Sequence, residues 1–263
     1  MKITVLCENT KSSDELVCEH GLSLYIETAK HCILFDMGQT DAYLVNAEKL
    51  GVDVSKVDIA FLSHGHYDHG GGLQSFLNVN SKANVYVNEN AFGDHYNGAE
   101  KYIGLDKTLK QSERFIFVGN MLKIDDELSL FSCNEREREF KTNPYGLGIC
   151  KNGTIEPEEF LHEQYLQITE NQKKYLISGC SHKGVLNIAK WFSPDVLVGG
   201  FHFTKLNPAT EDATVLGSAA EQMMSLNTKY YTGHCTGTEQ YLFLKGIMGE
   251  RLEYMSTGDT IVV

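Results

Sequence analysis

Apolar residues recur along the chain with two spacings, and each predicts a different element. Short β-rich runs bounded by turn residues predict strands at Lys2–Leu6, Leu22–Glu27, Ile33–Phe35 and Ile59–Ser63. Further strands are expected at Val85–Val87, Phe115–Val118, Met121–Ile124, Leu128–Ser132, Tyr165–Thr169, Lys174–Ser178, Val196–Val198 and Lys229–Thr232. Helical spacing takes over in three places. Leu44, Ala47 and Leu50 share a face that ends at Gly51. Val185, Ile188, Ala189 and Phe192 fall at i, i+3, i+4 and i+7, as do Leu216, Ala219, Ala220 and Met223. Strands alternating with helices, together with pairs of adjacent strands, predict a mixed α/β architecture. Cys133–Phe160 breaks the pattern with the charge run Glu135-Arg136-Glu137-Arg138-Glu139 and reads as a long irregular connection. Such a connection serves either as a solvated charged face or as a lid over a site.

The 263 residues suffice for a sizeable core, and no linker-like boundary divides them, so one domain over 1–263 is expected. Lys+Arg of 23 against Asp+Glu of 35 gives a net charge of −12, which argues against a nucleic-acid partner. The longest apolar stretches fall far below the roughly 20 residues of a bilayer span, so no membrane partner is expected. The first residues read as a strand rather than an export signal. Seven cysteines without zinc-ribbon spacing suit free thiols in a reducing cytoplasm. The 24 glycines gather at Gly70–Gly72, Gly146–Gly148, Gly199–Gly200 and Gly233–Gly237, mostly beside histidines.

Candidate chemistry is concentrated in Ser63-His64-Gly65-His66-Tyr67-Asp68-His69-Gly70-Gly71-Gly72, directly after a predicted strand. His64 and His66 are two apart, so an extended segment points both rings the same way. A turn after Tyr67 then carries Asp68 and His69 to a neighbouring point. Imidazole and carboxylate together suit zinc, manganese or iron. Four such groups buried without partners would each cost about 1–3 kcal/mol, whereas a bound zinc returns on the order of 10 kcal/mol. Three downstream strands lead into Gly179-Cys180-Ser181-His182, Gly199-Gly200-Phe201-His202 and Gly233-His234-Cys235-Thr236-Gly237. Glycine followed by histidine at three strand ends predicts loops converging on one sheet edge, where α/β folds place their sites.

The His-x-His-x-Asp-His run after a strand resembles the metallo-β-lactamase fold superfamily. Cys7-Glu8-Asn9-Thr10, Glu19–Ser23, Ile33–Gly38, Asn46-Ala47, Leu62–Leu73, Gly179–His182, Gly199–His202 and His234–Gly237 are similar to its dihydropterin-linked hydrolase/synthase branch. The resemblance implies an αββα sandwich, two facing mixed sheets with helices outside and a metal site at one edge. It implies His64, His66 and His182 as ligands of one ion, with His162 as the reserve for His182. Asp68, His69 and His234 would hold a second ion, and Asp36 would support the histidine loop from behind. Cys180 stands where the superfamily usually has a bridging aspartate; it is either a thiolate ligand or a small buried residue.

The activity so implied is metal-dependent hydrolysis of a small, phosphorylated, pterin- or nucleotide-like substrate, with two zinc ions expected and manganese or iron as alternatives. A metal lowers the pKa of bound water from about 15.7 to near 7 and so supplies hydroxide at neutral pH. Asp68 would orient it, and His202 would act as proton carrier or substrate contact. Glu19–Ser23 would either line the pocket or form a plain turn. The alternatives are a synthase-type transferase, a diiron redox protein, and a non-catalytic binding module. A homodimer is compatible with the sequence.

Overall fold

The computed structural model describes all residues, Met1–Val263. Two seven-stranded sheets carry the fold. The first runs, in spatial order, Thr260–Val262, Lys2–Cys7, Ser23–Glu27, Cys32–Phe35, Ile59–Phe61, Asn84–Asn88 and Phe115–Val118. The second runs Leu252–Tyr254, Lys229–Thr232, Val196–Val198, Lys173–Ile177, Tyr165–Glu170, Leu128–Phe131 and Met121–Lys123. Each sheet is parallel on one side and antiparallel on the other, with the change at Cys32–Phe35 in the first and Lys173–Ile177 in the second.

Alternation along the strands builds three apolar layers. Ile3, Val5, Ile33 and Phe35 pack with Leu166, Ile168, Val196 and Val198 between the sheets. Their neighbours point outward, Leu6 and Leu34 under the helices Ala42–Lys49 and Leu73–Val79. Tyr165 and Leu197 pack under Val185–Phe192, Asp212–Ser225 and Thr238–Met248. Opposite faces of one strand thus serve two cores, the period-2 logic of a sheet buried on both sides. This is the αββα sandwich expected. No helix is long and apolar enough to cross a membrane.

The predicted strands and helices all form, with ends shifted by a residue or two and the last of the predicted helices lengthened at both ends to Asp212–Ser225; the helices Leu73–Val79 and Thr238–Met248 were not predicted. The stretch Cys133–Phe160, expected to be irregular, differs. It contains the strands Leu147–Lys151 and Thr154–Pro157, which join His95–Asn97 and Lys101–Tyr102 in a four-stranded sheet. The hairpin turns at Asn152-Gly153, both at positive φ (52° and 81°), the left-handed pair that a two-residue turn demands. Thr154–Pro157 is exposed throughout, so no apolar alternation marked it as a strand.

Strand direction decides where the chemistry lies. Phe35, Phe61, Ile177, Val198 and Thr232 are the last residues of parallel-paired strands, and each leads directly into a histidine-, aspartate- or cysteine-bearing loop.

Candidate metal centre

The His64–His69 segment is shaped by backbone constraints. The chain is extended at His66 (φ −97°, ψ 148°) and turns at once into the single helical turn Tyr67–Gly70, which swings Asp68 and His69 back toward His64. Gly65 makes the approach possible, because a Cβ there would lie 1.9 Å from the Ala91 carbonyl oxygen. Asp36 ties the segment down from behind. Its carboxylate accepts from the Ser63 N–H and Oγ–H, both at 2.7 Å, and from His69 Nδ1 at 2.6 Å.

The loops from the second sheet supply the other half. Asp36, Ser181, His202 and His234 all have left-handed backbones, with φ between 50° and 60°. Non-glycine residues pay for that conformation, and four around one centre mark a site whose surroundings over-determine it. Glu163 positions the His182 loop, its carboxylate accepting from the His182 N–H (2.6 Å), the Lys183 N–H (3.0 Å) and the Tyr165 hydroxyl (2.6 Å). Glu8 does the same for the last loop, accepting from the His234 N–H and from the Tyr254 hydroxyl at 3.0 Å.

Two groups of side chains result. His64, His66 and His182 each bring a ring nitrogen within 4.8 Å of the others. Beside them, His69 Nε2 lies 3.2 Å from both Cys180 Sγ and His234 Nε2, and His234 Nε2 lies 3.4 Å from Asp68 Oδ2. His64 belongs to both groups, since it also joins His69 and Cys180.

Hydrogen bonding at the far nitrogens fixes what the near ones can do. His69 Nδ1 is committed to Asp36, and His234 Nδ1 to Asn9 Oδ1 at 2.8 Å. Both partners are acceptors, so each Nδ1 carries its proton and each Nε2 presents a lone pair. Those two lone pairs face each other across 3.2 Å. Only a proton or a cation between them removes the repulsion. His64 Nε2 meets His182 Nε2 at 3.3 Å; the Ser63 hydroxyl, which donates to Asp36, accepts from His64 Nδ1 at 2.8 Å, whereas His182 Nδ1 has no partner. A divalent ion fits this donor set.

Electrostatics agree. Burial, then the neighbouring histidines, hold His64 and His182 well below the ordinary imidazole range; burial alone dominates at His66, pushed down to about 3. Burial also dominates at His234, which falls to about 4 despite its bond to Asp68. These rings are neutral at pH 7 and available as ligands. Burial would raise Asp68, but His69 and the hydrogen bonds from His20 and His234 outweigh it and keep the carboxylate ionised. Burial, then Cys235, pushes the Cys180 thiol well above its ordinary value, so only a cation would draw out the thiolate.

His64, His66, Asp68, His69, Cys180, His182 and His234, named from sequence, are thus brought together, and His202 stands beside them, its ring 4.3 Å from that of His182. His162 is close, but its Nδ1 accepts from the Gly65 N–H at 2.8 Å, and it is His182 whose nitrogen meets His64. His20 lies at the cavity mouth, Nε2 3.2 Å from Asp68 Oδ2. Sequence reasoning carried Glu8 and Asn9 only as motif residues, gave no role to Glu163 and did not single out His95. Glu8, Asn9 and Glu163 act by supporting another residue, and nothing in spacing reveals that.

Residues 16–231 match the model of the metallo-beta-lactamase superfamily. The chain belongs to this superfamily. Among its relatives is a protein of Methanocaldococcus jannaschii, MJ0448, whose function is uncharacterised; it is 28% identical over 246 residues, 89% of this chain and 90% of that protein. Another protein of the same organism is a 7,8-dihydropterin-6-methyl-4-(beta-D-ribofuranosyl)-aminobenzene-5'-phosphate synthase. It is 28% identical over 245 residues, 83% of this chain and 81% of that one. Among solved structures, Tm1679, described as a metal-dependent hydrolase of the beta-lactamase superfamily, superposes with a TM-score of 0.83 at 28% identity, over 100% of this chain and 99% of that one. This superfamily member shares the whole sandwich with that structure.

Proposed function

We propose that this chain is a metal-dependent hydrolase with a dinuclear centre, acting on a small phosphorylated ester. The observation that carries the reading is the facing Nε2 lone pairs of His69 and His234, with His64 Nε2 and His182 Nε2 meeting at 3.3 Å beside them and an ionised Asp68. His64, His66 and His182 would hold one ion, and Asp68, His69 and His234 the other. Cys180 lies between the two groups and would contact either, its soft sulfur favouring zinc over manganese. Ions held there would acidify a water molecule and polarise a phosphoryl oxygen.

The chain's own residues supply the rest. A cavity of about 290 Å³ opens over the histidines, and Lys101 and Lys205 on its wall supply positive charge for an anionic group. Tyr145, His182 and His202 separate it from a second cavity of about 540 Å³, lined by Phe140, Phe201, Phe203 and Leu206. A phosphate in the first chamber with an apolar or ring-bearing portion in the second is the substrate shape these walls suit. Asp68 would orient the attacking water. Burial holds His202 down near about 4, so it enters as neutral imidazole and its N–H would steady the leaving oxygen.

The relationship to a synthase supports a second reading, in which the same centre serves a transferase on a dihydropterin-linked phosphate. One experiment separates the readings. Chelator-treated protein, reconstituted with zinc, manganese or iron, is assayed against phosphomonoesters, phosphodiesters, cyclic phosphates and carboxylic esters. Metal-dependent turnover of any of these is expected; a full panel without turnover refutes the hydrolase.

A further inference from the structure

A third group of histidines adjoins the centre. His66, His95 and His162 each bring a ring nitrogen within 4.8 Å of the others, all are buried, and Glu158 lies beneath them. The Nε2 atoms of all three are sealed from solvent and have no hydrogen-bond partner. Three orphaned nitrogens suggest another metal site, but the far sides of the rings exclude one. His162 Nδ1 accepts from the Gly65 N–H at 2.8 Å. A ring that accepts at Nδ1 carries its proton on Nε2, so no lone pair remains there. His95 is arranged in the opposite sense. Its Nδ1 lies 2.8 Å from Glu158 Oε2, and Glu158 Oε1 accepts from the Phe160 N–H at 3.1 Å, as a carboxylate does. His95 therefore donates from Nδ1 and carries a lone pair at Nε2.

His66 completes the set. With Nε2 sealed, Nδ1 is the nitrogen left for the cavity, which His66 lines. A ring that ligates through Nδ1 carries its proton on Nε2, the side facing His95, with the ring centroids 5.6 Å apart at 76°.

From this juxtaposition of donor, acceptor and carboxylate we propose that His95 and Glu158 are positioning residues. Glu158 holds the proton of His95 on Nδ1, so the His95 Nε2 lone pair is turned toward the His66 ring and favours the His66 tautomer that carries its proton on Nε2 and offers Nδ1 to the first ion. The relay lengthens the usual carboxylate–imidazole–metal arrangement by one ring. It rests on His66 being a ligand. Sequence separation hides it, since His95 and Glu158 are 63 residues apart.

The test uses the whole chain and zinc. Wild type, His95→Phe, His95→Gln and Glu158→Gln are compared by elemental analysis, by competition with a chromophoric chelator and by melting of the metal-free proteins. His95→Phe is expected to weaken one of two zinc sites about 10- to 100-fold. His95→Gln, which restores an acceptor oxygen, recovers most of that loss, and Glu158→Gln falls between. Metal-free melting temperatures should not follow this order, as they would for a purely structural role. Should His95→Phe fail to fold, Glu158→Gln carries the test with little change of shape. Unchanged zinc affinity in His95→Phe and Glu158→Gln overturns the proposal, as does a loss that glutamine does not repair. A third zinc equivalent in wild type that His95→Phe removes would make the cluster a metal site instead. Wild type that binds no zinc would fail the proposed function as well, which distinguishes the two failures.

Discussion

Two neighbouring groups of buried histidines differ less in composition than in what holds the back of each ring. In the centre around His64, His69, His182 and His234, the committed nitrogens of His69 and His234 donate to Asp36 and Asn9, and lone pairs converge in front. In the group of His66, His95 and His162, His162 accepts from a backbone N–H and so turns a proton inward, while His95 donates to a carboxylate and turns a lone pair inward. The first arrangement calls for a cation. The second does not, because a proton already occupies the inner nitrogen of His162. Counting histidines cannot separate the two, whereas the direction of the hydrogen bond behind each ring does.

The comparison can be broken most sharply at the centre itself. Asp68→Ala or His69→Ala should remove one ion and lower turnover by about 10³-fold, the several kcal/mol a metal ion supplies. Elemental analysis and steady-state rates check it, and retention of two zinc ions with full activity would contradict the ligand assignment. Next comes the support behind it. Asp36→Ala leaves the Ser63 N–H and His69 Nδ1–H buried without acceptors. Zinc affinity should fall about 10- to 100-fold, read by chelator competition. Cys180→Ser should cost less and change selectivity, weakening zinc relative to manganese, because a hard oxygen replaces a soft sulfur.

The metal-free protein offers a test through pH. His66, His202 and His234 have folded pKa values of about 3, 4 and 4, against an unfolded value near 6.5. Their unfolded forms bind protons first as pH falls, so stability is full above about 6.5 and is lost progressively toward about 3 to 4. His64, His162 and His182 are lowered as well and act in the same sense; His69 is raised and opposes them, one group against six. Metal-free melting temperature should therefore drop between pH 7 and 4; a flat profile would mean that these rings are less buried than described. The smallest effect belongs to the second group. His162→Asn keeps an acceptor for the Gly65 N–H and should leave zinc affinity within about threefold of wild type.

Much of this was legible in the sequence, and for identifiable reasons. Unbroken apolar runs such as Val5-Leu6-Cys7 and Ile33-Leu34-Phe35 mark strands buried on both faces, and glycine before histidine marks the strand-end loops. His64, His66, Asp68 and His69 lie within six residues, so their spacing carries its own meaning. The hairpin at Asn152-Gly153 was legible but masked by charge, because Thr154–Pro157 is exposed and shows no alternation. Glu163, which holds the His182 loop, looks like any acidic residue beside a glutamine; its importance comes from three donors that converge only in the fold. His95 was invisible for the same reason.

The clamp from Glu8 to the His234 loop joins positions 226 residues apart. During translation the His64–His69 segment leaves the ribosome long before that loop exists. His64, His66 and His182 are all made before the final quarter of the chain, whereas the group of Asp68, His69 and His234 cannot close until that quarter has emerged, so the two halves of the centre become available in sequence rather than together.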